Sequence, residues 1–436
     1  MAKVRIPERE IEVSEQADVV VAGGGPAGFA AAIAAARQGA DTLLIEATGC
    51  LGGQATSGLV GPFMKTFGEE GVYSELIDRM KKRGGVLEER RFDAEICKYV
   101  MQEMVEESGA RLLLFTVTAD ALQDGNQVNG LLVANKAGLT AVQSSVVVDC
   151  TGDGDAAFFS GAEYDKGNET GFLQSSTLWL EVDGIEEEEY QEGRKGYMDS
   201  LQENFDRERA AGRLNMPPHA RVRLIWKGST LSPGRYSVNS DTIDNIDGTD
   251  PRALTHATCE SRKRVFEIVE FFRKYLPGAS QCTVNKTGSI FGIRETRRFR
   301  GMESIAGGDV VKGVKRTDGI CRASFFLDLH DGDSHQGVKN RWGKDRPEKG
   351  DWYEIPYGCL VPEKTDGLLL AGRNISSDRD SNGSLRIMPT CMATGQAAGT
   401  AAAICAKEGI QPRDLKPEKL QPILNDRYSV TLAHQI

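Results

Sequence analysis

The chain has 436 residues, 40% of them apolar and 27% charged, the make-up of an ordinary globular protein of about two or three domains. A net charge of −10 speaks against a nucleic-acid backbone or an anionic membrane surface as partner, since both call for a basic face. The nine cysteines are scattered and form no C-x-x-C pair, which excludes the usual frameworks of iron–sulfur clusters, zinc ribbons and dithiol redox sites.

Residues up to Gln16 lack the basic, apolar, small-residue order of a signal peptide, and the apolar run Phe29 to Ala36 is too short to span a bilayer. A cytoplasmic protein without a membrane partner is expected. In chain order, Ala17 to Ala22 reads as a buried strand and Pro26 to Gln38 as an Ala-rich helix stopped by Gly39. Asp41 to Ile45 reads as a second strand, so the three form a β-α-β unit. Between strand and helix, Gly23-Gly24-Gly25-Pro26-Ala27-Gly28 fits G-x-G-x-x-G. In that pattern Gly23 permits the turn, Gly25 lets a pyrophosphate approach the backbone, and Gly28 lets helix and strand pack closely. The helix N-terminus offers free N–H groups to phosphates. Glu46, at the end of the second strand, is placed to accept from ribose hydroxyls. The glycine loop alone does not separate FAD from NAD. The loop Cys50 to Gly58, with Gly52, Gly53, Gln54 and Thr56, is suited to run beside an extended dinucleotide towards its ring.

Ala94 to Ser108 has helical spacing. Arg111 to Leu122, Gln127 to Asn135 and Leu139 to Asp149 read as strands of an antiparallel meander, leading into Thr151-Gly152-Asp153-Gly154-Asp155. From about Asp165 to Pro251 the texture is polar and turn-rich, with Glu186 to Glu189 as a solvated face. Cys259 to Leu276 reads as an amphipathic helix with Val265, Phe266, Val269 and Phe272 on its apolar side. Gly367 to Ala371 reads as another buried strand and Pro389 to Lys407 as a small-residue helix. The expected fold is α/β. A Rossmann-like nucleotide domain, parallel sheet plus β-meander, is built from residues 1–165 and 364–436, with a mixed α/β substrate domain inserted at 166–363.

Over Ala17 to Gly28, Glu46 to Gly58, Val148 to Gly161, Gly292 to Gly301, Tyr353 to Pro362 and Leu369 to Gly399, the chain resembles the FAD-dependent oxidoreductase family of the glutathione-reductase-type flavoprotein clan. The resemblance implies FAD as cofactor, in an enzyme that oxidises or reduces a small molecule. It implies that Thr151 and Gly152, with Asp155 beside them, lie by the adenosine side, and that Gly372 lies near the ribityl chain. Many clan members carry Asp after that glycine; this chain has Arg373 and Asn374, of which Asn374 is the candidate contact. Pro389, Thr390 and Gly395 open a helix that the resemblance aims at the flavin pyrimidine edge, where its positive end stabilises charge on the reduced ring.

Flavin chemistry on C–H or C–N bonds needs a proton donor or acceptor beside the ring. His330, at the end of an apolar strand expected over Phe325 to Leu329 that turns polar, is the candidate, with a hydrogen-bonded structural histidine next to Asp328 as the plain alternative. Asp328, His330, Asp331, Asp333 and His335 also have metal-binding chemistry, but no metal is expected where a flavin carries the electrons. Arg294 or Arg298 suits a substrate carboxylate, against the alternative of ion pairing with Glu295; Arg386 is a further anion site candidate. Tyr357, with Tyr353, lines either the cavity or the core. Cys50 and Cys391 are taken as packing residues. A single G-x-G-x-x-G followed by an acid leaves no dedicated NAD(P)H domain, so the electron partner is external. The expected reaction is hydride transfer to or from flavin N5 on a small organic molecule. The alternatives are a non-redox isomerase, lyase or hydratase that keeps FAD, and an NAD(P)-dependent dehydrogenase. A homo-oligomer is left open.

Overall fold

A computed structural model describes residues 10–86, 90–193, 197–222, 224–227, 232–330 and 344–435. The first unit starts with β1 (Val13–Ala22), α1 (Pro26–Arg37) and β2 (Thr42–Ile45). Then come α2 (Val72–Lys82), α3 (Ala94–Ser108), β3 (Arg111–Leu113), β4 (Val117–Asp124), β5 (Gln127–Asn135) and β6 (Gly138–Asp149). It continues through α4 (Asp155–Phe159) and β7 (Tyr164–Lys166). The strand expected over Arg111 to Leu122 is therefore two. β3 adds to the parallel side, next to β2, and β4 opens the meander, with Phe115 between them in the left-handed region at φ +55°.

The second unit holds β8 (Leu180–Asp183), α5 (Glu187–Gly193), α6 (Tyr197–Ala210), β9 (Leu224–Lys227), β10 (Tyr236–Val238), α7 (Pro251–Tyr275) and β11 (Thr283–Thr287). Its strands form a four-stranded sheet in the order β11-β8-β10-β9, in a stretch whose sequence reads only as polar and turn-rich. α7 begins eight residues before its expected start, at Pro251, where Asp250 caps by accepting from Arg252 N at 2.9 Å. Its buried stripe is Val265, Ile268, Val269 and Phe272; Phe266 is 65% exposed, because it lies about 100° round the helix from Val265.

The chain then returns with β12 (Arg297–Phe299), α8 (Gly307–Lys312), β13 (Gly319–Ala323), β14 (Tyr353–Pro356), β15 (Leu368–Leu370), α9 (Arg379–Leu385), α10 (Met388–Glu408) and α11 (Pro417–Tyr428). The main sheet has seven strands in the order β3-β2-β1-β6-β5-β4, with β15 also beside β6. β3, β2, β1, β6 and β15 run parallel, while β4 and β5 fold back as the meander. Val21 lies opposite Leu44 on one side and Val148 on the other, and Val148 opposite Leu369. All four are fully buried, which is why these strands read as unbroken apolar runs.

α1 and α10 cross with backbones nearly touching. A Cβ on Gly395 would lie 2.0 Å from the Ala27 carbonyl oxygen, and one on Gly399 2.0 Å from that of Ala31. The small-residue composition of both helices is a packing requirement. Two large hydrophobic cores result among the described residues, beside a small cluster of Leu59, Ala94 and Trp179. One joins the main sheet, its helices and the stretch Phe299 to Val361; the other is confined to Leu178 to Phe291. The span 166–363, grouped from sequence as one inserted domain, thus divides between the two cores. Among the described residues no helix is long and apolar enough to cross a membrane.

Candidate active site

The β1–α1 turn brings four glycines together with different duties. A Cβ on Gly23, at φ +92°, would lie 2.7 Å from the Cys150 carbonyl oxygen, and one on Gly28 only 1.7 Å from that of Gly23. One on Gly24 would meet Leu51 at 2.6 Å. A Cβ on Gly25 would meet nothing within 4 Å, although its φ of −66° suits any residue. Of the four, only Gly25 opens on space, at the start of a helix whose first N–H groups have no acceptor within it. Pro26 and Ala27 follow as its first helical residues. This open cradle is what a pyrophosphate needs.

Glu46 reaches the same turn: Oε2 accepts from Gly24 N and Oε1 from Thr48 N, both at 2.7 Å. The loop after it folds back on the turn, with Gly52 N donating to Gly24 O at 2.8 Å and a Gly53 Cβ falling 3.1 Å from Gly25 Cα. Thr56 Oγ1 closes this loop on Leu51 O at 2.5 Å, and Gln54 Nε2 ties it to Phe291 O at 3.0 Å in the second unit.

Across the sheet, buried Asp149 accepts from Thr151 N and Oγ1 at 3.0 and 2.8 Å and from Ala157 N at 2.9 Å; burial pushes its carboxyl up. Thr151 Oγ1 in turn accepts from Asp155 N at 2.8 Å. Gly152 lies under Arg373, whose Nη2 would be 3.1 Å from an added Cβ. Arg373 pairs with Asp153 at 2.7 Å and donates to Thr296 Oγ1 at 3.0 Å. Gly372 N donates to Thr394 Oγ1 at 3.1 Å. Asn374 Nδ2 donates to Asp149 O at 3.1 Å, while its Oδ1 and the Oγ1 of Thr390 are buried without a partner among the described residues. Gly395, by contrast, is taken up by the contact with Ala27.

A third group of residues forms where the two units meet. His330 ends a segment that joins no ladder among the described residues, where the sequence reads as a strand over Phe325 to Leu329. Its backbone is fixed by Gln174 Oε1, which accepts from His330 N at 3.2 Å, and by Ser175 N, which donates to His330 O at 2.7 Å. Its Nε2 lies 3.1 Å from Asp328 Oδ1. A carboxylate only accepts, so the ring proton sits on Nε2 and the lone pair on Nδ1. Burial, helped by Arg294, pushes the imidazole pKa down to about 4. Asp328 is held well below the usual carboxylate range, against its burial, by His330, Arg386 and Arg294. Arg386 Nη2 donates to Asp328 O and Oδ2 at 2.8 and 3.0 Å, and Arg294 Nη1 to Ser175 O at 2.5 Å.

Arg298 and Tyr357 do not join His330. Arg298 is buried in an ion pair with Glu295, which also takes Arg379 at 3.0 Å and accepts from Gln174 N at 3.2 Å. That carboxylate fastens the Gln174 segment in place. Tyr357 is in the core with its hydroxyl on Pro412 O at 2.9 Å, and Tyr353 bonds Ser384 at 2.7 Å. Cys391 is buried with its thiol pushed up to about 12 by that burial, and Cys50 contacts Ser57 at 3.2 Å. Asp331, Asp333 and His335 lie outside the described residues; among those described, no His, Cys, Asp and Glu cluster is arranged to hold a metal.

Sequence reasoning missed Gln174, Ser175 and the pair His219–Asp244, 3.2 Å apart, which contacts the same segment through Ser175 Oγ at 2.5 Å from Asp244. In Ser175–Asp244–His219 the carboxylate sits between hydroxyl and imidazole. That is the wrong order for an activated nucleophile, in which the imidazole must face the hydroxyl. The run Gln174 to Thr177 is polar throughout yet buried, so its pattern carries no sign of burial.

The parallel sheet, glycine cradle and acid define a dinucleotide-binding fold. Residues 18–424 match the family model described as FAD dependent oxidoreductase, and the chain belongs to that family; it is an FAD-dependent enzyme. No curated protein matches it. Similar solved structures include a geranylgeranyl bacteriochlorophyll reductase-like protein from Thermoplasma acidophilum, at 15% identity and TM-score 0.47 over 95% of this chain and 84% of that one. Others are a p-nitrophenol 4-monooxygenase from Pseudomonas putida (14%, TM-score 0.46, 94% and 84%) and a myxobacterial chondrochloren halogenase (12%, TM-score 0.46, 95% and 79%).

Proposed function

We propose that the protein is an oxidoreductase of the glutathione-reductase-type clan that acts on a small organic molecule, with His330 as its acid or base. Gly23, Gly25, Pro26, Ala27 and Gly28 would hold the pyrophosphate of FAD, and Glu46 its ribose. Gly52, Gly53, Gln54 and Thr56 flank the extended cofactor. Thr151, Gly152, Asp155, Gly372, Arg373, Asn374 and Thr390 complete its binding surface, the unpartnered Asn374 Oδ1 and Thr390 Oγ1 being the atoms a bound flavin satisfies. Bound FAD supplies the two-electron acceptor or donor. Residues 1–165 and 364–436 carry this site, and the second unit covers it.

The observation that carries the acid–base reading is the His330–Asp328 pair at 3.1 Å. It holds a neutral imidazole in one tautomer, the protonation state that a base needs to take a substrate proton. The backbone bonds from Gln174 and Ser175 fix the ring's origin, and Arg386 holds Asp328 from the residue pair that precedes α10. His330→Ala is expected to slow anaerobic flavin reduction by roughly 10²–10⁴-fold with FAD still bound. Unchanged reduction by a turned-over substrate removes His330 from the mechanism.

A further inference from the structure

Two buried donors on side chains bonded to the segment Asp328 to His330 have no acceptor among the described residues. Gln174 is 1% exposed, and its amide orientation is settled because Oε1 accepts from His330 N; Nε2 has no partner. The Nε–H of Arg386, on a side chain 12% exposed, is also without one. Buried donors are nearly always satisfied in folded proteins, so an unmet pair calls for an explanation. Both belong to side chains anchored on the segment Asp328 to His330, Gln174 on His330 and Arg386 on Asp328. Arg294, bonded to Ser175 O, stands on the same segment. Asp328 is one negative charge between the positive charges of Arg294 and Arg386, and a neutral His330 adds none. The unmet groups are both donors, one of them on a guanidinium.

We propose that this cluster is a carboxylate subsite: the substrate is a small organic acid whose carboxylate accepts from Gln174 Nε2 and Arg386 Nε while its reacting centre faces His330. This rests on His330 lying at the substrate. A guanidinium and an amide together suit a planar two-oxygen anion, which each can meet with one N–H.

The test is titration of the holoenzyme with acetate, benzoate and succinate, each beside its neutral amide, read by flavin difference absorbance and thermal unfolding. At least one acid is expected to bind more than about tenfold tighter than its amide. Gln174→Glu keeps an acceptor for His330 N and replaces only the unmet donor with a carboxylate oxygen. It should weaken acid binding by more than about tenfold and leave amide binding and FAD content unchanged. Arg386→Lys, which keeps the charge but loses Nε–H, should weaken it by at least about fivefold and decides the matter if Gln174→Glu does not retain FAD. Equal affinity for acids and amides, or acid affinity unchanged in the retained variants, overturns the subsite. His330→Asn separates the two proposals. If it reduces flavin normally while Gln174→Glu still abolishes acid binding, the acid–base role falls and the carboxylate subsite stands.

Discussion

Gly25→Ala separates the cofactor cradle from the fold. At Gly25 the backbone has φ −66° and an added Cβ meets nothing within 4 Å, so the folded apoprotein accepts alanine without strain. Alanine also restricts the unfolded chain, which should make the apoprotein more stable by ~0.4–1 kcal/mol. The methyl nevertheless occupies the face that a pyrophosphate approaches. Displacing the phosphates loses about two charge-assisted N–H bonds of ~1.5–3 kcal/mol each, together ~3–6 kcal/mol. The FAD dissociation constant should therefore rise by roughly 10²–10⁴-fold. Gly28→Ala is the contrast, because its Cβ would lie 1.7 Å from the Gly23 carbonyl oxygen and must displace backbone. It should destabilise the protein with or without FAD. The assay is apoprotein unfolding in denaturant together with FAD titration by fluorescence quenching. A Gly25→Ala protein that binds FAD with wild-type affinity, or an apoprotein that loses stability as Gly28→Ala does, refutes this division of labour.

Glu46→Gln keeps an acceptor for Gly24 N or Thr48 N but loses the charge at the ribose, and should weaken FAD binding by ~1–3 kcal/mol without unfolding; isothermal titration of the apoprotein checks it. With its pKa at about 4, His330 is neutral across the physiological range, so base-assisted flavin reduction should be flat above about pH 6 and fall as pH drops through about 4 in rapid pH-jump measurements. The same depression affects stability. The unfolded imidazole titrates near 6.5, so between about pH 6.5 and 4 only the unfolded chain takes up the proton. Stability should fall by up to ~3 kcal/mol as pH drops across that window, and His330→Asn should flatten the fall in urea titrations at successive pH values. Gly399→Val, whose Cβ would lie 2.0 Å from Ala31 O, should separate α1 from α10 and lower the unfolding midpoint by several degrees or prevent folding, read by circular dichroism.

The sequence by itself determined what depends on neighbours in the chain. The glycine spacing, the strand that precedes it, the helix that follows and Glu46 all lie between Val19 and Glu46, where loop geometry and apolar runs leave little choice. The parallel strands were legible where both their faces are covered, so Val19 to Ala22, Leu43 to Ile45 and Leu368 to Leu370 are apolar throughout. Only tertiary structure decided what depends on distant partners. Gln174 and His330 are 156 positions apart and Arg386 and Asp328 58, and no local pattern announces those bonds. Arg298 and Tyr357 looked like site residues from their motifs, yet Arg298 Nη1 is taken by Glu295 and the Tyr357 hydroxyl by Pro412 O. Residue type states which bonds a side chain is able to make, but which of them it makes depends on the acceptor that folding brings within about 3 Å.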